Sequence, residues 1–283
     1  MNRQPNSKSN LDRAIARYAG NDAILANELG VSLANAIVAQ FITEGVVKGG
    51  SSLKFRFGGG AMRVTRDLDT AYRDNLDTFL LNLRERLAKG WHGFTGQVEI
   101  LQQATPKGVP FEYVMQPCEV HLGYLGNPWR IVDLEIGHNE IGDADAVDFV
   151  DVPKPLIELI NFLALPPLGK IPLMRLEYQV AQKLHGASEP NSKRAHDLID
   201  LQLILASTNV DLSLTAQLCR KLFKYRRRQE WPAVVKKNEN WDVIYTNQKM
   251  ELPVLPTVDE AIVWASDLIA RIDAAHTPRS ESC

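Results

Sequence analysis

Cysteine is scarce and poorly placed for cross-linking: Cys118, Cys219 and Cys283 are odd in number, lie far apart and form no C-x-x-C pair. That argues against a disulfide framework or a zinc knuckle and fits a reducing compartment. No uninterrupted apolar run approaches bilayer-spanning length, and the opening MNRQPNSKSN has no apolar stretch of signal-peptide length, so a cytoplasmic protein without a membrane partner is expected. Charge of one sign is lacking too. A net charge of −2 gives no overall pull toward nucleic acid or anionic lipid, so any polyanion contact has to come from a local patch. No histidine pair stands at ligand spacing near a cysteine, no G-x-S-x-G elbow occurs, and no internal repeat is visible.

What remains is an ordinary globular composition, 45% hydrophobic and 23% charged over 283 residues, enough for one large or two moderate domains. Residues 1–10 are polar and expected to be disordered. From Leu11 to Glu44 apolar residues recur at helical spacing, as in Ile24, Leu25, Leu29, Leu33, Ile37 and Phe41, with breaks expected near Gly20 and Gly30. Leu76 to Lys89 returns to helical period. Strands are expected around Gln97–Leu101, Glu112–Leu122 and Trp129–Ile136, with a turn at Pro106-Lys107-Gly108 between the first two. From Pro153 onward the pattern is almost wholly helical, divided by prolines. The fold class is therefore α/β (α+β): a small mixed sheet flanked by helices over 11–152, and a helical C-terminal domain over 153–283.

Two motifs carry chemistry. Lys48-Gly49-Gly50-Ser51-Ser52 follows the β-branched pair Val46-Val47, so it joins a strand to the first turn of a helix. Glycines let backbone approach an anion, a helix N-terminus offers unpaired N–H donors and a serine adds a hydroxyl, which together suit a phosphate. Asp67-Leu68-Asp69 follows in an extended run, where the strand period of two puts both carboxylates on one face. Carboxylates so close repel, and solvent, an arginine such as Arg63 or Arg66, or a divalent cation relieves them. Farther on, Arg130-Ile-Val-Asp133-Leu-Glu135-Ile-Gly137 offers two more acids on one strand face. Lys183 lies on the inward stripe of a helix with Leu176, Val180 and Leu184, so it must snorkel outward or meet a permanent anion.

The order strand, Gly-[Gly/Ser], helix and then Asp-hydrophobic-Asp on the next strand resembles the DNA polymerase β nucleotidyltransferase superfamily. Within it, KGGSSLKFRFG followed by RVTRDLD is similar to the AbiEii/AbiGii-type, MenT-like nucleotidyltransferase toxins, over about Val46 to Leu201. Gly58-Gly59-Gly60 lengthens the connection between turn and aspartates relative to that pattern. The resemblance implies an enzyme that takes a nucleoside triphosphate as substrate, uses Mg2+ or Mn2+, and releases pyrophosphate. It implies Asp67 and Asp69 as metal ligands with Glu135 or Asp133 as third carboxylate, and Gly49, Gly50, Ser51, Ser52 and Arg63 as nucleotide-binding residues. It further implies Lys183 as phosphate ligand and Asp197, in Arg194-Ala-His-Asp197-Leu-Ile-Asp200, as a metal-proximal or base carboxylate. A cognate antitoxin protein and an RNA acceptor, the tRNA 3′ end, belong to the same expectation.

The basic stretch Arg220–Lys237 holds eight basic residues and one acid, with Tyr225 and Trp231 interleaved. Arg226, Arg227 and Arg228 are its densest cluster and the candidate RNA contact, the other reading being a solvated helix face or an interface for an acidic partner. Two rivals remain: transfer to a protein or an aminoglycoside-like small molecule, and a noncatalytic relative that binds nucleotide or a protein partner.

Overall fold

The computed structural model describes residues 3–58, 67–105 and 114–275. Seven strands, β1 Gly45–Val47, β2 Leu68–Tyr72, β3 Phe94–Ile100, β4 Gln116–Tyr124, β5 Asn127–Gly137, β6 Val147–Val150 and β7 Ile171–Met174, form one mixed sheet. Their order is β3-β4-β5-β2-β1-β7-β6, with β2–β5 and β1–β7 parallel and the other pairs antiparallel. Alternation along the strands turns Leu68, Val120, Val132, Leu134 and Ile136 to one face. They share a core there with Leu11 and Ile15 of α1 (Lys8–Tyr18), Leu33 and Ile37 of α2 (Ala23–Ala39), Leu83 and Leu87 of α4 (Leu76–Lys89), and Leu159 and Ile160 of α5 (Lys154–Phe162). The described cysteines, Cys118 and Cys219, are free and buried, burial pushing the Cys118 thiol up to about 11.

The N-terminus corrects one expectation. Residues 1–10 read as disordered, yet from Arg3 the chain is ordered, and α1 begins at Lys8 with the Ser7 hydroxyl accepting from the Asn10 amide at 3.2 Å. The Tyr124 hydroxyl donates to the Pro5 carbonyl at 2.5 Å and the Gln4 amide to the His92 carbonyl at 3.0 Å. Those partners lie far off in sequence, so local composition could not reveal them. The helix break expected near Gly20 is present, but Gly30 sits inside α2. A Cβ there would collide with the Arg130 guanidinium, so the glycine clears a path for that side chain rather than ending a helix.

A second correction concerns the stretch after Pro153. It supplies β7, whose four residues are all buried, and β6, just ahead of it, was likewise not among the expected strands. The chain divides into two compact units between Met174 and Arg175, beyond the expected boundary at 152/153, with α5 and β7 in the first unit. In the second unit α6 (Leu176–Ser188), α7 (His196–Ser207), α8 (Leu212–Arg226), α9 (Trp241–Lys249) and α10 (Val258–Ala274) pack around Leu184, Leu201, Leu222, Phe223, Trp241 and Ile269. Thr257 and Glu260 close a reciprocal capping box at the start of α10. No single helix among the described residues is long and apolar enough to cross a membrane.

Candidate active site

The glycine-serine turn does join a strand to a helix: α3 runs Gly49–Phe57 directly after β1, with Lys48 as N-cap and no side chain capping it. The Lys48 side chain itself therefore claims none of the first amides of that helix. Gly49 has φ +63, and a Cβ on it would strike the Asp69 carboxylate, so only glycine lets the turn and the aspartate meet. Lys48 N–H donates to the Asp69 carbonyl at 2.8 Å, and the buried Ser51 hydroxyl donates to the Asp67 carbonyl at 2.5 Å. Ser51 thus pins the helix to the segment that carries the aspartates. Arg56, later in α3, reaches Asp148 of β6 at 2.8 Å and the Met174 carbonyl at 3.3 Å, fixing the helix against the far strands.

Asp67 stands exposed just before β2, and Asp69 is half-buried within it, with Leu68 and Thr70 fully buried on the other face. In the parallel pairing of β2 with β5, Asp69 lies opposite Glu135, and the Thr70 hydroxyl ties the strands by donating to the Glu135 carbonyl at 3.1 Å. Burial raises the Glu135 carboxyl above the ordinary range, and Asp69, Asp67 and Asp133 push it the same way while Lys48 opposes them. Asp67 and Asp69 therefore lie within electrostatic reach of Glu135, although among the described residues only Glu99, Glu119 and His121 bring three ligand atoms within 4.8 Å of one another. Asp133 is exposed and pairs in register with Glu119 of β4 instead. Lys48, whose ammonium lies against Gly137, is the residue that sequence reading passed over. A lysine directly ahead of the two glycines was the available signal.

In the second unit, Lys183 is buried and donates to Asp197 at 3.2 Å and to Asp200 at 2.6 Å. The permanent anion demanded by an inward lysine is supplied by α7 itself. Arg194 also donates to Asp197 at 2.6 Å. Burial works to raise the Asp197 carboxyl, but Arg194, Lys183 and His196 together hold it well below the usual carboxylate range. A phosphate-ligand role for Lys183, or a base role for Asp197, would require breaking this network. In the basic stretch, Arg220 pairs with Asp273, Arg226 lies 3.3 Å from His185 and Lys237 bridges Asp242 and Asp259. Trp231 is engaged by Asp273 and Phe223. Arg227 and Arg228 stay exposed. Arg63, Arg66 and the turn expected at Pro106-Lys107-Gly108 lie outside the described residues.

The sequence matches, over residues 33–269, the family described as nucleotidyl transferase AbiEii toxin, Type IV TA system. The chain belongs to the AbiEii nucleotidyltransferase toxins. No curated protein sequence matches it. Among solved structures it is similar to MenT4, a nucleotidyltransferase toxin from Mycobacterium tuberculosis, at a TM-score of 0.51 and 18% identity, covering 94% of this chain and 99% of that one. At that identity the likeness speaks to the fold alone. As an AbiEii chain the protein is a nucleotidyltransferase of a toxin–antitoxin system, which brings a nucleoside triphosphate substrate and an antitoxin partner with it. The matched span covers the glycine-serine turn, the aspartates, Glu135 and the Lys183 network, and starts after α1.

Proposed function

We propose that this AbiEii enzyme transfers a nucleoside monophosphate from a triphosphate to the 3′ end of tRNA, working in the cytoplasm and blocking translation because a capped 3′ end cannot be aminoacylated. The observation that carries the catalytic part is the register that sets Asp69 opposite Glu135 and against Gly49 at the N-terminus of α3, with Asp67 within electrostatic reach. Three hard oxygen donors that repel one another suit Mg2+ or Mn2+, and a cation would relieve the charge that burial and acidic neighbours make costly at Glu135. When bound, the cation would neutralise the triphosphate and lower the charge barrier to in-line attack. The first amides of α3, at Gly49 and Gly50, would hold the phosphates at the helix N-terminus. Ser51, Ser52 and Lys48 position that helix and temper the acidic charge. In this reading Lys183 and Asp197 hold α6 and α7 together instead of touching phosphate.

The acceptor assignment is supported by the exposed Arg227 and Arg228 beside the partly exposed Tyr225. The test is to incubate the purified chain with each α-labelled triphosphate, magnesium and total RNA, with Asp69→Asn as control. Label in a tRNA-sized band, absent from the control, is expected. Label confined to protein or to a small molecule overturns the acceptor, and no transfer from any triphosphate overturns the catalytic reading.

A further inference from the structure

Ahead of the family-matched span, the N-terminal arm and α1 enclose an open concavity of about 720 Å³. Its lining contains three arginines, Arg3, Arg13 and Arg17, the amides of Gln4, Asn6 and Asn21, and no carboxylate. None of the three arginines forms an ion pair among the described residues. The acids flanking that lining in sequence are turned to other work: Asp12 accepts from Trp129 at 3.0 Å and pairs with Lys8 at 2.9 Å, and Asp22 caps α2. The walls are held in place. Gln4 and Pro5 are anchored on His92 and Tyr124, and the Asn10 amide donates to Asn6 at 2.6 Å across the mouth of the arm.

Three guanidinium groups around one hollow repel each other unless an anion enters, and their planar forks match phosphate oxygens two at a time. The volume lies in the range of small-molecule sites and far exceeds one phosphate. The hollow is also separate from the carboxylates. Leu11, Ala14 and Ile15 of α1 share the core with Leu68, Val132 and Leu134, so α1 lies on the sheet face away from Asp69 and Glu135.

We infer that this pocket binds the sugar-phosphate part of a nucleotide, supplied either by a free nucleotide or by a stretch of single-stranded RNA. The RNA source rests on the acceptor proposed above; the free-nucleotide source does not. The experiment compares wild type with Arg13→Gln/Arg17→Gln, both exposed positions, in EDTA so that no transfer contributes. The probes are a short fluorescein-labelled single-stranded RNA at several salt concentrations, and ATP. An RNA source predicts roughly tenfold weaker RNA binding at low salt and a salt slope shallower by about 1.4, two lost phosphate contacts at about 0.7 each, with ATP binding unchanged. A free-nucleotide source predicts weaker ATP binding. Unchanged affinity for both probes, or weaker RNA binding with an unchanged slope and unchanged ATP binding, overturns the inference. Matching melting temperatures exclude misfolding as the cause. Because transfer is not read, a chain inactive as a transferase gives the same answer.

Discussion

Glu135 is where burial and neighbouring charge act in the same direction. Its carboxyl binds a proton more tightly in the folded chain than in the unfolded one, so ionising it costs folding free energy. The sign is opposite to that of a salt-bridged acid: the penalty is absent below the ordinary glutamate range and builds as pH rises through the elevated folded value. Glu135→Gln should therefore melt at or above the wild-type temperature at pH 7 without divalent cation, with the gap closing in acid. Magnesium should raise the wild-type melting temperature more than the variant's. Melting curves at both pH values, with and without magnesium, check this, and a variant clearly less stable at pH 7 without metal would refute it. Asp197 is the converse case: its stabilisation is present above the ordinary aspartate range and is lost only as pH falls toward its depressed folded value.

Between elements, the Lys183 network joins α6 to α7 through an ammonium and two carboxylates, all nearly out of solvent. Taking away the cation leaves two buried carboxylates without the ammonium they share, so Lys183→Ala should cost on the order of 3–5 kcal/mol. Thermal unfolding should show a fall of several degrees, and an unchanged melting temperature would mean that the network contributes nothing. The inward stripe containing Lys183 was legible, because its neighbours at helical spacing are all apolar, but the identity of its anion was not. Similarly α4 is bounded by Leu76 and Lys89 as its period suggested, and the turn from Val47 into α3 followed from residue types alone. The strand β7 was hidden: four buried residues carry no period, Pro172 argues against a strand, and its ladder to β1 is the single pair Val47–Leu173. Asp67 and Asp69 could be read as a pair. That Glu135 and not Asp133 stands opposite Asp69 depends on the register of strands that are distant in sequence.

Over the whole molecule, a net charge of −2 conceals local clusters: Asp69 and Glu135 pair on one face of the sheet, while exposed arginines stand on α1 and just beyond α8. Arg226 is half-buried against His185, so the acceptor reading narrows to Arg227 and Arg228 on exposure alone. Replacing both by glutamine should weaken tRNA binding and flatten its salt slope by about 1.4 while leaving triphosphate affinity intact. Fluorescence titrations at several salt concentrations measure it, and equal slopes would return this stretch to packing or antitoxin contact. Gly49 bears on a different question, which mutants survive when cells are selected to tolerate the toxin. Most inactivating changes act by unfolding and degradation, but Gly49→Ala puts a methyl where the Asp69 carboxylate lies while the positive φ of that one half-buried residue costs about 1–2 kcal/mol. It should yield a folded, soluble chain without transfer activity, seen as a normal expression level beside absent labelling of RNA. Such a survivor would be silent by chemistry yet normal in abundance, so an immunoblot of tolerant colonies separates it from the alleles that are lost to degradation.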